Sequence, residues 1–357
     1  MESVGQVMDL SFYNGKKVFI TGHTGFKGSW MCRVLKMQGA EVIGYSLQPP
    51  TDPSLYKALQ MDREIISVTG DVRDLKHLSE TLEKYQPEIV IHMAAQPIVR
   101  ESYADPVYTY GTNVMGTVNI LEAVRNVHSV KSVVNVTTDK VYKNNEWEWG
   151  YRENDALDGY DPYSNSKSCS ELVTASYQRS FFEQMETAVS TCRAGNVIGG
   201  GDFAKDRIIP DCVRAMKAGE KIIVRNPYST RPYQHVLEPV CAYLELAKLQ
   251  YENKEAYAGN YNIGPDDCDC VTTGELVELF CRCWGPDAEW EDISEENAPH
   301  EAGFLKLDCS KAEKVLGWQP KWHIEDAVKK SVEWSKVYLI DGDLVGETDK
   351  QIRDYLE

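Results

Sequence analysis

Short runs of β-branched and apolar residues alternate, through the first half of the chain, with longer stretches whose apolar residues fall at helical spacing. Residues 17–21 (Lys-Val-Phe-Ile-Thr) are the first β-rich run; they lead into a glycine turn, and residues 26–38 then read as a helix. Similar runs at 42–45, 65–68 and 88–93 predict strands two to four, and 131–137 predicts strand five. Residues 113–127 place Val114, Val118, Leu121, Ala123 and Val124 at helical spacing, and 163–182 reads as a long helix. Strands alternating with helices in this way predict an α/β fold: a doubly wound, parallel Rossmann sheet over residues 1–195. After residue 196 the rhythm changes. Residues 236–265 are expected to return to the sheet, and the rest of 196–357 to form a smaller C-terminal substrate-binding lobe. Within it, Gly199-Gly200-Gly201-Asp202 reads as a flexible loop and 286–301 as an acidic exposed loop. Residues 310–317, with an N-cap-like serine and a terminal glycine, read as a short helix.

Composition narrows the function. The 357 residues are 42% hydrophobic, enough for a core, and carry a net charge of −17. That charge argues against nucleic acid or an anionic membrane as partner. No apolar run reaches the length of a membrane span, and the first residues lack a basic stretch followed by an apolar one, so a cytoplasmic protein is expected. Residues 205–231 break the acidity, with seven Lys/Arg against three Asp/Glu. This island suggests a bound anion, or else a solvated helix face. Of ten cysteines, Cys32, Cys169, Cys192, Cys212 and Cys241 lie among apolar neighbours as buried thiols do. Cys268, Cys270, Cys281 and Cys283 form Cys-x-Cys pairs, too closely spaced for a structural zinc site. No metal is expected.

The chemistry begins at Thr21-Gly22-His23-Thr24-Gly25-Phe26-Lys27-Gly28, between a strand and a helix. Gly22, Gly25 and Gly28 allow a tight turn and let backbone N–H groups approach a pyrophosphate at the helix N-terminus. Thr24, Phe26 and Ala94 are expected to line the same dinucleotide site. The end of strand two, Tyr45-Ser46-Leu47-Gln48, offers no acid to the adenosine ribose. Ser46 can hydrogen-bond it more weakly. No arginine follows to hold a 2′-phosphate, which favours NAD over NADP and a modest affinity. Asp71, after strand three, can meet the adenine or simply cap its turn.

Strand five ends in Thr138-Asp139-Lys140, at the edge where a doubly wound sheet binds its ligands. Tyr163 and Lys167 stand one helical turn apart, and a nearby cation favours a phenolate. Such a base can take a proton from a sugar hydroxyl held by Thr138. Without the glycine turn the pair would read as ordinary helix surface. Asp139 adds a carboxyl that simple alcohol oxidation does not need, which suggests a further proton transfer such as dehydration. Lys140 reaches the same site only if the chain turns there; otherwise it faces solvent.

These residues resemble the extended short-chain dehydrogenases and, within them, the nucleotide-sugar 4,6-dehydratases. The resemblance runs from Lys17 to about Trp334. It rests on the three-glycine turn, Gly70-Asp71, Ala94-Ala95-Gln96, Asn113-Val114-x-Gly116-Thr117, Thr138-Asp139, Tyr163-x-x-x-Lys167 and Arg193-x-x-Asn196-Val197. Gly22 to Trp30, Thr138-Asp139-Lys140 and His300-Glu301-Ala302 look most like the branch acting on CDP-glucose. The resemblance implies oxidation at C4, loss of water across C5–C6 and reduction at C6, with NAD retained throughout. It gives Asp139 the proton for the departing hydroxyl. Where the dTDP-glucose branch has a glutamate as C5 base, this chain has Lys140. The resemblance also carries Asn196, Arg207 and Arg231 over to the nucleotide half, Asn196 and Arg231 matching positions that hold the diphosphate; Gln96 is expected on the substrate side, and Tyr233 and His235, close to Arg231 in sequence, are expected to touch the sugar or to close the site. It further implies a homodimer or dimer of dimers, paired through the helices at 113–127 and 163–182. A nucleotide-sugar 4-epimerase, a UDP-N-acetylglucosamine 4,6-dehydratase and an NAD-sensing binding protein are the alternatives.

Overall fold

The computed structural model describes residues 8–294 and 304–357. His300, Glu301 and Ala302 lie outside the described residues. Strands β1 (Lys17–Thr21), β2 (Glu41–Ser46), β3 (Ile66–Thr69), β4 (Ile89–His92), β5 (Ser132–Val136) and β6 (Ala188–Ala194) follow in chain order, and β7 (Asn260–Ile263) joins later. Across the sheet they run β7-β6-β5-β4-β1-β2-β3, all parallel. The chain leaves β1 for β2 on one side and reaches β4 on the other. This reversal opens the crevice where doubly wound sheets bind ligands.

Helices cover both faces, so the strands read as continuous apolar runs; all five residues of β5 are buried. Alternate side chains serve two cores. Ile20, Ile91 and Val134 pack with Trp30, Val34 and Leu35 of α1 (Phe26–Met37). Phe19, Val90 and Val133 pack with Ile120 and Val124 of α2 (Gly116–Arg125). On the far side of the cleft, Ile222, Val224, Leu276, Phe280 and Val328 centre a separate core for the lobe.

Three features modify the sequence picture. Trp290–Asp292, inside the expected acidic loop, forms a strand beside Ile222–Val224. The helix Leu344–Leu356 does not stay with the lobe: Ile352 and Tyr355 enter the core beneath α1, and Arg33 donates to both carboxylate oxygens of Asp349 at 2.5 and 2.6 Å. Asp266, Cys268, Asp269 and His323 converge, but Asp269 already accepts from His323 Nδ1 at 2.8 Å and from Ile324 N at 3.0 Å. It thereby caps the helix Ile324–Leu339. The short helix Ser310–Leu316 ends, as its sequence predicts, on Gly317 with φ +66°.

Candidate active site

The crevice is pinned first by Thr21. Its Oγ1 accepts from the N–H groups of Met93 and Ala94, both at 3.1 Å, and lies 2.7 Å from His92 Nδ1. Gly22 sits at φ +78°, and a Cβ there would lie 2.9 Å from the Ala94 nitrogen. At Gly28 a Cβ would fall 2.2 Å from the Gly22 carbonyl oxygen. Only glycine lets turn, helix and β4 approach this closely. Gly25 begins α1 without a side-chain cap, so first-turn N–H groups are left to face an anion. Thr24 Oγ1 donates to Leu47 O at 3.0 Å, so in its 2.8 Å contact with Ser46 it is Ser46 that donates. Ser46 Oγ thus keeps its lone pairs for a ribose hydroxyl, an acceptor like the missing acid but uncharged. The cradle fits a dinucleotide. Phe26 packs where a Cβ on Gly199 would come within 3.2 Å of its ring. Asp71 caps its turn: it accepts from Arg73 N at 2.9 Å and from the Arg73 guanidinium at 2.6 Å, which holds its carboxyl below the usual range.

The catalytic floor follows β5. Thr138 caps a 3-10 turn, Asp139–Val141, so the chain does turn where Lys140 needs it to. Thr138 Oγ1 donates to Asp139 Oδ1 at 2.9 Å. Asp139 Oδ2 is buried with no hydrogen-bond partner among the described residues, and a Cβ on Gly195 would lie 3.0 Å from it. Lys140 is half-buried. Tyr163 and Lys167 share the first turns of α3 (Pro162–Ser180), which Asp161 caps by accepting from Ser164 N at 3.0 Å. Lys167 Nζ donates to Val136 O at 3.1 Å, tying α3 to the end of β5. Beneath them lies a buried pair: Arg193 donates to Glu171 at 2.8 Å, and Glu171 also accepts from Thr137 at 2.5 Å and Thr191 at 2.7 Å.

Electrostatics in this floor run against one expectation. Burial pushes the Tyr163 phenol up to about 12, with Asp139 adding to it and Thr138 and Arg207 opposing. Lys167 is itself pulled down to about 7, first by burial and then by Lys27, and the groups that oppose the rise of the phenol are Thr138 and Arg207 rather than the lysine the spacing suggests. Burial also raises Asp139, against the pull of Lys140, Thr138 and Arg231. A carboxyl so placed favours the protonated form an acid catalyst requires.

Of the nucleotide-side residues, Arg231 is buried, donates to Thr230 O at 3.0 Å and acts on the Asp139 carboxyl. Asn196 is half-buried, and its carbonyl accepts from Gln234 N at 3.0 Å. Arg207 precedes α4 (Ile208–Ala218), and its charge reaches both Tyr163 and Lys27. Tyr233 is buried with its hydroxyl 3.1 Å from Thr273 Oγ1. Two residues take structural places. Gln96 gives its amide to Thr109 Oγ1 at 2.9 Å and accepts from Ile98 N at 2.5 Å. His235 is wholly enclosed, with ring contacts to Trp30 at 5.8 Å and Trp322 at 4.9 Å, and has no exposed surface to offer a sugar.

The GDP-mannose 4,6-dehydratase family model matches residues 19–331, a span holding the turn, the floor and the arginines together. The chain belongs to this family. It is 48% identical, over 98% of its own length and 99% of the relative's, to CDP-glucose 4,6-dehydratase of Salmonella typhimurium. It is 26% identical to CDP-paratose 2-epimerase of Salmonella typhi, covering 89% of this chain and 99% of that one. Among solved structures, dTDP-glucose 4,6-dehydratase of Bacillus anthracis superposes with a TM-score of 0.75 at 22% identity, covering 90% and 97% of the two chains. UDP-glucose 4-epimerase of Thermotoga maritima gives 0.79 at 23%, covering 90% and 99%. At those identities the structural likeness speaks for the fold.

One site residue of this family member escapes a motif reading. Lys27, within the glycine turn, projects to the catalytic floor: it lies 6.0 Å from the ring centre of Tyr243, and burial and then Arg207 pull its amine down to about 8. The signal was a lysine between two glycines of a phosphate-binding turn. Tyr243, on α5 (Leu237–Glu252), is fully buried, with its hydroxyl unpartnered among the described residues.

Proposed function

We propose that this chain dehydrates CDP-D-glucose to CDP-4-keto-6-deoxy-D-glucose with bound NAD, a step in deoxysugar biosynthesis. The observation that carries the reading is Asp139, a buried carboxyl with one oxygen unpartnered beside Thr138 and Tyr163. The relative at 48% identity supports the choice of sugar nucleotide. In this scheme Tyr163 takes the C4 hydroxyl proton while Thr138 holds that oxygen. NAD, held by the glycine turn, would supply the hydride acceptor for C4 and donor for C6, and its ring cation would favour the phenolate. The C4 ketone acidifies C5–H. Lys140 removes the C5 proton, and Asp139 protonates the C6 hydroxyl so that it leaves as water. Lys140 then returns a proton to C5. Asn196, Arg207 and Arg231 hold the diphosphate, for which guanidinium forks are suited. An epimerase has no use for an acid at Asp139.

The chain also pairs with a second copy in this reading. Val107, Met115 and Leu172 are 82%, 51% and 57% exposed, apolar surface that a twofold partner would cover. Among the described residues no helix is long and apolar enough to cross a membrane.

One experiment tests the chemistry. Wild type and Lys140→Ala are incubated with CDP-glucose in deuterated water. Wild type is expected to form a product with the alkaline absorbance of a 4-keto sugar and deuterium at C5. Lys140→Ala is expected to lose both. Wild type yielding only an epimer refutes dehydration; full C5 exchange in the variant moves the base elsewhere.

A further inference from the structure

One turn of the proposed reaction leaves two residues changed. The hydride given up at C4 is returned at C6, and the proton lent to Lys140 is returned at C5. Tyr163 starts as phenolate and ends as phenol, having taken the C4 hydroxyl proton. Asp139 starts as acid and ends as carboxylate, having given its proton to the departing C6 hydroxyl. Each turnover therefore leaves an extra proton on Tyr163 and a missing one on Asp139. Asp139 is 1% exposed, so water has little access to replace what it gives, whereas Tyr163 is only half-buried.

Thr138 stands between the two. Its Oγ1 donates to Asp139 Oδ1 at 2.9 Å, and it is also the hydrogen-bonding partner of the Tyr163 phenol. Lys140 N donates to the same oxygen at 3.4 Å, which holds the hydroxyl over the 3-10 turn Asp139–Val141. A hydroxyl has one proton to give and two lone pairs to receive with, so Thr138 can take a proton from Tyr163 as it gives its own to Asp139. The two carboxylate oxygens divide the work. Oδ1 faces Thr138, and Oδ2, unpartnered among the described residues, is open to the C6 hydroxyl. A half-turn about the Cβ–Cγ bond carries a proton from one position to the other.

We propose that Thr138 is a proton relay from Tyr163 to Asp139, which restores the acid after each turnover with the proton equivalent taken from the C4 hydroxyl. The inference rests on the dehydration reading above. The Tyr163 O–H bond breaks as its proton passes to Thr138 Oγ1, and the Thr138 O–H bond breaks as its proton passes to Asp139 Oδ1. Nothing is oxidised or reduced. The result is a phenolate and a carboxylic acid, the pair with which the next turnover begins. A phenolate and a carboxylate side by side are mutually unfavourable, so the pair keeps one proton between them. Burial raises Asp139, and the ring cation of bound NAD would favour the phenolate; both narrow the gap that a phenol at about 12 presents.

Two measurements on the NAD-loaded full chain test the relay. Both compare Thr138→Val, which removes the hydroxyl, with Thr138→Ser, which keeps it. The first is rapid-quench kinetics with CDP-glucose and with its 6-deoxy-6-fluoro analogue. Fluoride leaves as an anion, so there Asp139 keeps its proton and needs no reset. Thr138→Val is expected to give a burst of about one product per site on CDP-glucose, then a steady rate about tenfold or more slower, and no burst on the analogue. Wild type and Thr138→Ser are expected to show no burst on either. The second measurement needs no turnover. Infrared difference spectra after a downward pH jump follow the acid C=O band of Asp139, identified by its loss in Asp139→Asn. Its return is expected to be about tenfold or more slower in Thr138→Val than in wild type, and normal in Thr138→Ser. An active Thr138→Val without a burst on CDP-glucose, a burst on both substrates, or equal band return in Thr138→Val and wild type overturns the relay. If Thr138→Val forms no product, the infrared rates decide. Wild type that makes no 4-keto sugar refutes the dehydration reading instead, so the two fail separately.

Discussion

The floor and the mouth of this cleft are made of opposite materials. The floor is buried and, apart from the open Asp139 Oδ2, tightly paired: Glu171 takes three donors, Lys167 is tied to a strand carbonyl, and glycines let backbone pack on backbone. The mouth is exposed and loosely paired, its Arg100, Arg207 and Arg225 held at 3.4–3.7 Å by Asp202 and Asp206 of one loop. The difference fits the work we propose for each. Proton transfers at C4, C5 and C6 need groups fixed to within fractions of an ångström, which low dielectric and full hydrogen bonding supply. Capturing a diphosphate needs charge that water can reach.

The comparison breaks first at Tyr163. Tyr163→Phe removes the proposed base while leaving the mouth intact. Turnover should fall by about 10³-fold or more, with CDP affinity in calorimetry unchanged. A small loss of turnover would mean that the floor's chemistry runs through another group. Next comes the foundation. Arg193→Met leaves the Glu171 carboxylate buried without its cation and should cost about 3–5 kcal/mol in urea unfolding. Arg225→Gln, at the mouth, should cost less than about 1 kcal/mol in the same assay. Equal costs would erase the distinction between the two regions. The last test is at the cofactor's far end. Ser46→Asp restores a charged ribose acceptor and should tighten NAD about five- to tenfold in fluorescence titration, since a hydrogen bond to a charged group is worth more than a neutral one. Unchanged affinity would place the ribose elsewhere.

How far the sequence reaches differs between the same two regions. The strands leading to the floor were legible because a sheet covered on both sides writes itself as apolar runs. The turn was legible because its glycines are demanded by close approach of Gly22 to Ala94 and of Gly28 to Gly22. Tyr163 and Lys167 were legible as a pair, but not in their electrostatics. Spacing shows that a cation is near; only burial, which depends on the whole fold, decides that the phenol rises to about 12 and the amine falls to about 7. His235 read as a site residue from its neighbourhood in sequence, yet it packs between Trp30 and Trp322, contacts separated by many residues along the chain. The helix Leu344–Leu356 carried no mark of its destination, since an amphipathic face does not name the core it enters. At the mouth, the basic island was visible as composition, but the partner of Arg225 on the sheet side, through Asp206, exists only once β4 and the lobe face each other.

The central claim is that a hydride leaves C4 of the sugar and returns to the same molecule at C6, within a floor rigid enough to hold it between the two steps. The most direct measurement follows CDP-glucose deuterated at C4 through one turnover by the NAD-loaded enzyme, with product analysed by mass spectrometry and proton NMR. The account predicts a 4-keto-6-deoxy product carrying the deuterium at C6. Product with unlabelled C6, or label retained at C4, would contradict it.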